Sequence, residues 1–588
     1  MKRFLLVLTL LLSICGLSLA TVSAQDAVEG APEGVWLGTW PYVLPPNHHL
    51  NAFADGGPGT NLGNVYREMV ELAPAFYMWA DNSYVPMLAE SWGFSEDNSA
   101  YEIKLQEGLT WSNGSAIDAD DIVTTYAMGR LVGWSQFTYI DEVEKVDDLT
   151  VHFHFSGEPS LLAEQLLLRE PIVADDTYGE FTQRALDLFG TDATKESEEW
   201  DALLAELREY RPEEYIASGP YTYTLDDVGD SFMTLHWQPN SIFSDDVQFG
   251  QLKLWAGETE STTPLVLSGE IAHATNVYPP ATVESFVAQG LEIVTIPRGY
   301  GPVMLFNHAV APWDVVEVRQ AAALVIDRDQ NAFLTNGLGG TGTHYMAGIL
   351  DGNVEALLNQ DVIDQLDLYE FDTDRAAALL EGVGYTRNAD GIWADADGNT
   401  LSGEWIFPSD FVDFAAATQD AVAQLNAFGF DIEARAMPSA EVPPLIREGN
   451  FELSIWSWGA ASPFASRHFA NPLQRWGTDL DPSLPGLGVP MHEYPYNGET
   501  VDLDALIDGV NVGLDAEEQK VRAGEVALII NQTMPFIPLN VILSAEPFNT
   551  SLVSGLPEEG DPILLNPTGR DHFMKYYILN GTLAPAAS

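Results

Sequence analysis

The side chains that could carry covalent chemistry in this sequence are not spaced for it. The chain has no G-x-S-x-G elbow for a serine nucleophile, no H-E-x-x-H pair for zinc and no Walker A loop for nucleotide phosphates. Its single cysteine, Cys15, leaves no disulfide and no Cys–His pair. His48 and His49 are adjacent, without a third partner at ligand spacing, and read as a solvated loop pair. His152 and His154 share one face of a strand whose other face carries Val151, Phe153 and Phe155, a structural or solvated position. No histidine constellation stands out for a metal. Gly337 to Gly342 fits G-x-G-x-x-G, but it follows a helix-like segment instead of a strand, so it reads as a flexible loop and not as a dinucleotide site. Carboxylates are so abundant that a pair suited to glycoside hydrolysis can be drawn almost anywhere, and such a pair carries no information.

The bulk numbers set the frame. A chain of 588 residues exceeds what one hydrophobic core serves, so two or three domains are expected. With 87 acidic against 25 basic residues and a net charge of −62, binding through nucleic-acid phosphates is excluded. Residues 1 to 24 read as an export leader: Lys2 and Arg3, an apolar run from Phe4 to Ala20, then Val22-Ser23-Ala24 as a small-residue cleavage site. Acylation at Cys15 is the alternative, but Ile14 is large for the position before a lipidated cysteine. No other stretch is long and apolar enough to span a bilayer, so a separate membrane partner is required to move anything.

Val85 to Arg130 has the clearest local order. Tyr101, Ile103 and Leu105 alternate with Glu102, Lys104 and Gln106, a half-buried strand. Asn113-Gly114 makes a tight turn. Asp118, Asp120 and Asp121 then precede Ile122, Val123 and Tyr126, carboxylates where a helix start can be capped. Further along, Val65 to Leu72, Ser160 to Arg169 and one long segment from Thr182 to Arg211 are helical by pattern, and residues 143 to 155 form a strand pair. Asp314 is placed to cap a helix carrying Val315, Val318, Ala322 and Val325, and Phe371-Asp372 starts another. A helix from Phe411 to Phe428, a strand from Ile432 to Ala436 and a late helix with Leu503, Leu506, Ile507 and Val510 complete an α/β pattern.

The wording within these elements is more specific than the elements themselves. P-x-L-A-E-S-W, an acidic turn, then K-L-x-x-G-L-x-W-S-N-G and A-x-D within residues 85 to 130 resemble the family 5 extracytoplasmic solute-binding proteins. These are the oligopeptide, dipeptide, nickel and oligosaccharide receptors of ABC importers. Ser218-Gly219-Pro220-Tyr221, Val318-Arg319-Gln320-Ala321, Ile326-Asp327-Arg328 and Gln532-Thr533-Met534-Pro535 match further family words in order. The resemblance implies an α/β, two-lobed periplasmic-binding-protein-like fold (type II, cluster C) with an extra subdomain on lobe one. Mapped here, lobe one is 26–80, 212–297 and 536–588, the extra subdomain 81–211, and lobe two 298–535. It implies a secreted, periplasmic or cell-surface receptor, monomeric and without cofactor or metal. Such a receptor closes on a small oligomeric solute and is read by the transmembrane subunits of an ABC permease, with no covalent step.

The solute is the open question. Peptide-binding relatives supply an aspartate after a W-x-x-D type stretch for the peptide amine. The matching stretch here, Phe451 to Phe464, has Ala460, Ala461 and Ser462 in that place. A buried ammonium without a partner is costly, so the usual amine clamp is missing. Trp456 and Trp458 share one strand face, and with Trp40, Trp79 and Phe464 they resemble the aromatic grooves of oligosaccharide-binding members. Asn307 and Arg467 are the polar groups expected beside them to bond hydroxyls. The cargo reading is therefore an oligosaccharide ahead of an oligopeptide whose amine partner comes from another segment, with a nickel chelate third. A secreted glycan hydrolase is the alternative from another functional class.

Overall fold

The computed structural model describes residues 29–39, 44, 47–477 and 484–587. The leader and Trp40 lie outside the described residues. Two bodies of β-structure, each with its own core, follow from how the strands order themselves. In the first, Gly34–Thr39 pairs parallel with Phe249–Trp255, which pairs antiparallel with Phe232–Trp237, with Tyr221–Thr222 at the far edge. An antiparallel sheet, ordered Ala89–Phe94, Ala100–Leu105, Thr150–Phe155, Ile140–Lys145, shares that core. Tyr101, Ile103 and Leu105 enter it fully buried, as their alternation requires.

The second body is built on a five-stranded sheet with the order Asp431–Met437, Ser402–Pro408, Leu453–Trp458, Gly301–Phe306, Phe536–Pro538. Helices Val316–Val325 and Val412–Phe428 pack on one face. Helix Ala516–Thr533, which pattern reading did not find, packs with the other. Between the two bodies runs a two-stranded ribbon, Glu292–Pro297 antiparallel to Leu543–Phe548. The chain is thus α/β and two-lobed.

Local expectations fare unevenly. Asp118 caps helix Ala119–Val132: its side chain accepts from Asp120 N, while Asp121 reaches back to Asp118 N. Replacing Asp118 by Ala is expected to lower the unfolding free energy by about 1 kcal/mol, read as a shift of the urea midpoint at unchanged slope. The expected helix 182–211 is two helices, Asp175–Phe189 and Glu198–Glu209, because Gly190 ends the first. Asp314 caps nothing: the helix starts at Val316 with extended Val315 as its N-cap and no side-chain cap. Gly337–Gly339 forms a single 3-10 turn, and Thr341–Gly342 pairs with Asn540–Val541, so this segment is tied down and not a free loop. His49 is buried, with Nε2 bonded to Asp55 O and Nδ1 accepting from Asn51 N, which corrects the solvated reading of the pair.

Candidate ligand cavities between the lobes

Strand Leu453–Trp458 and the segment that follows it position most of the candidate site. This strand is the middle of the five-stranded sheet, so alternate residues face opposite cores. Trp456 stands half-buried at the surface of that sheet, its ring set among Phe411 (6.0 Å, tilted), Phe414 (6.3 Å, edge-on) and Trp476 (6.0 Å, edge-on). These contacts fix its plane. A cavity of about 430 Å³ opens in front of it. The far wall comes from the first body through Asn64, Glu258, Thr259 and Thr568, and Arg298, Gly299 and Tyr300 at the end of the ribbon close one side.

That cavity is aromatic and acidic. Burial pushes the Glu258 carboxyl up to about 7, with Asp410 and Asp413 adding to the shift and Arg298 opposing it. Burial also raises Asp413, again against Arg298. The Arg298 guanidinium donates to Tyr300 Oη at 2.6 Å and to Thr275 O at 3.1 Å. Asp410 accepts from the backbone N–H and hydroxyl of Ser439. Ala460 and Ala461 line the same space. Gly299, at φ +72°, lies close against this loop: a Cβ there would come within 2.6 Å of Ala461 Cβ, so the crossing requires glycine at 299.

A second cavity of about 460 Å³ lies further along the boundary. Tyr77, Trp79 and Tyr84 wall it from the first body, and Leu357, Pro463 and Phe464 from the second. The Trp79 indole N–H is spent on Asp571 at 2.8 Å, and its ring meets Tyr77 edge-on at 5.7 Å. Glu164, raised by burial, accepts from Tyr101 Oη at 2.8 Å. The two bodies also touch directly nearby: Ser160 Oγ donates to Asn511 O at 2.6 Å, and Gly513 N to Pro159 O at 2.8 Å.

The sequence-selected residues therefore separate. Trp456 lines the first cavity, Trp79 and Phe464 the second, and Arg467 a third. Two need correction. Asn307 is buried and structural: its amide donates to Gly449 O and Phe451 O, and its oxygen accepts from Ala309 N, leaving nothing for a ligand. Trp458 shares a face with Trp456 but is fully buried, its indole N–H directed at Asn540 O. Glu258, Asp410, Asp413, Phe411 and Phe414 escaped sequence reading. The only available signal was the F-x-x-D-F-x-D-F wording from 407 to 414, which needs the fold to acquire meaning.

A histidine constellation also exists, against expectation. His273, Glu546 and His572 meet fully buried in the first body, both imidazoles on the same carboxylate oxygen. His572 Nδ1 accepts from Met574 N, so its proton sits on Nε2 and is donated to Glu546. That is the arrangement of a hydrogen-bonded network. Glu144, His152 and His154 gather at the surface in pairs with carboxylates.

Comparison with known proteins adds the following. Bacterial extracellular solute-binding proteins, family 5 (Middle), match residues 83–477. A periplasmic alpha-galactoside-binding protein of Rhizobium meliloti is 29% identical over 141 residues, 22% of this chain and 18% of that protein. A probable ABC transporter-binding protein of Deinococcus radiodurans is 25% identical over 343 residues, 54% of this chain and 55% of that protein. The chain thus spans less than two thirds of the length of either curated relative. Among solved structures, a periplasmic oligopeptide-binding protein of an oligopeptide ABC transporter from Thermotoga maritima superposes with TM-score 0.75 at 19% identity. The match covers 95% of this chain and 100% of that one. The mannohexaose-bound form of that protein gives 0.72 at 18% identity with the same coverage. At these identities the likeness is one of fold. No helix among the described residues is long and apolar enough to cross a membrane.

Proposed function

The chain belongs to the family 5 bacterial extracellular solute-binding proteins, the substrate-binding receptors of ABC importers, and from that premise we propose that it closes its lobes on an oligosaccharide and presents it to a membrane permease. The observation that carries this reading is the aromatic cluster of Trp456, Phe411 and Phe414 facing a cavity walled by both lobes. Aromatic faces stack on the apolar C–H surface of a sugar ring, and Asn64, Ser457 and Asn471 around the same cavity suit its hydroxyls. Trp79 and Phe464 supply a second stacking surface. Closure needs only that the solute bind the closed arrangement better than the open one, so no reaction is assigned. Two similar proteins, one galactoside-binding and one holding mannohexaose, support the same class of solute.

We assign 26–80, 212–297 and the segment after Phe548 to lobe one, 81–211 to its extra subdomain and 298–542 to lobe two. The return crossing is set at Leu543–Phe548 and not before Phe536. Phe536–Pro538 is an edge strand of the lobe-two sheet, and Phe536, Ile537 and Leu539 lie in its cores.

An oligopeptide is the second reading, favoured by one observation: Glu258, Asp410 and Asp413 gather in the first cavity, where an amine could find the partner that the 460–462 loop lacks. The test is a thermal-shift panel of α-galactosides and manno-oligosaccharides beside a random peptide pool. Ligand at 100 times its dissociation constant adds about 2.7 kcal/mol. A shift with one glycan series and none with peptides is expected, and no glycan products should appear on incubation. A shift with peptides alone overturns the oligosaccharide reading. The pH dependence separates the two independently. An ammonium on Glu258 needs the ionised carboxylate, so its affinity would climb as pH rises from 6 to 8 through the value near 7. A neutral sugar accepts from or donates to either form, so a flat profile is expected.

A further inference from the structure

Cations are scarce in this chain, 25 against 87 acids, yet three of them converge on one cavity. It measures about 670 Å³ and lies between the extra subdomain and helix Ala465–Ala470 of lobe two. Arg130, Lys195 and Arg467 line it, beside the aromatic side chains of Trp134, Phe137 and Tyr139. Among the described residues, none of the three cations has a carboxylate at ion-pair distance. Arg130 gives one guanidinium N–H to Asp141 O at 2.9 Å and lies over the Phe189 ring at 4.5 Å. Two acids share the wall: Glu196 accepts from Thr194 Oγ1 and Asp508 from Gln474 Nε2. With three and a half acids for every base in the chain, three cations in one wall without a carboxylate at ion-pair distance depart from its average composition.

The cavity also neighbours the candidate ligand site along the chain. A single lobe-two segment, 456–474, puts Trp456 on the first cavity, Phe464 on the second and Arg467 on the third. A linear solute lying along that segment would bring one end to the three cations. We propose that this third cavity is a carboxylate-binding site for the acidic group of an extended solute, a uronate or a chain-terminal carboxylate. The inference rests on the receptor reading above for where the carboxylate comes from, but not for the site itself. Charge-assisted hydrogen bonds from a guanidinium and an ammonium are the strong kind for such a group. The overall negative charge of the protein does not forbid it, because salt screens distant charges beyond about 8–10 Å.

The experiment uses two matched pairs, trigalacturonate against galactotriose and a heptapeptide acid against its C-terminal amide, by calorimetry at 0.15 M salt. The wild type should bind the acid of one pair at least tenfold tighter than its neutral counterpart. R467A and K195A, both at exposed positions, should each shrink that ratio toward one. Which pair shows the difference identifies the source of the carboxylate. Equal affinities within a binding pair, or a ratio unchanged in both variants, overturn the proposal. If none of the four probes binds, the oligosaccharide and oligopeptide readings fail, and the site is tested directly by titrating citrate against tryptophan fluorescence, to which Trp134 in the cavity wall contributes. Saturable quenching in the wild type that is lost in R467A sustains it, and no quenching overturns it.

Discussion

Replacing Glu546 by Ala is expected to cost about 3–5 kcal/mol of unfolding free energy, since buried donors left without an acceptor cost about 1–3 kcal/mol each. Glu546 is fully buried on the strand Leu543–Phe548. Its Oε2 accepts from His273 Nε2 at 2.6 Å and His572 Nε2 at 2.7 Å, and its Oε1 from Ser544 Oγ and Thr568 Oγ1 at 3.0 Å each. Alanine would leave four donors facing a void with no acceptor, and each buried orphan is costly. Burial alone would raise this carboxyl, but the two imidazoles outweigh it and hold the group well below the usual range. The sign follows. A depressed carboxylate contributes stability that is present above its unfolded pKa, near 4.3, and is lost as pH falls through the folded value. His273, lowered by burial, adds stability above about 6.5 that declines as pH falls below it. Urea titrations of wild type and E546A at pH 7 and pH 3 check both parts. A pH 7 difference below about 1 kcal/mol would mean that the network is not carrying the crossing strand, and so would a difference that does not shrink in acid.

That network marks where sequence reading stops. Residues 85 to 130 were legible because their determinants are neighbours: the alternation of Tyr101 to Leu105, the Asn113-Gly114 turn and the cap at Asp118 all act within a few positions. His273 and Glu546 are 273 positions apart, and nothing local links them. Period-two spacing put Trp456 and Trp458 on one face correctly. Which of them is covered depends on Gly301 and Asn540, whose backbones close over Trp458 from distant segments. Asn307 was chosen for its chemistry, but its amide is consumed by the Gly449–Phe451 turn. The missing aspartate at 460–462 was visible as an absence, whereas the close approach of Gly299 to Ala461 was not. Helix Ala516–Thr533 had a readable start in Asp515, which accepts from Glu517 N and Glu518 N, and Ala523, Val526, Ile529 and Ile530 fall at helical spacing, so this element was legible and went unread.

Trp456→Ala is expected to weaken solute binding by about 2–4 kcal/mol, roughly 30- to 1000-fold in Kd, the scale of a central aromatic hot spot. Phe411, Phe414 and Trp476 hold the indole in one orientation before any ligand arrives, so stacking costs little rotamer entropy. Removing the ring also removes the floor of the first cavity. A second variant separates binding from folding. Trp458 lies two residues on, fully buried under the same sheet face, so Trp458→Phe should lower the unfolding midpoint while leaving the cavity wall in place. Trp456→Phe keeps an aromatic face and should recover part of the lost affinity, which a merely structural role for the indole would not require. Calorimetry with the glycan identified by the thermal-shift panel, beside a urea titration of each variant, reads both quantities. Unchanged affinity in W456A would remove the aromatic floor as the binding element. The carboxylates of Glu258, Asp410 and Asp413 would then be left as the groups that select the solute, and a cationic one.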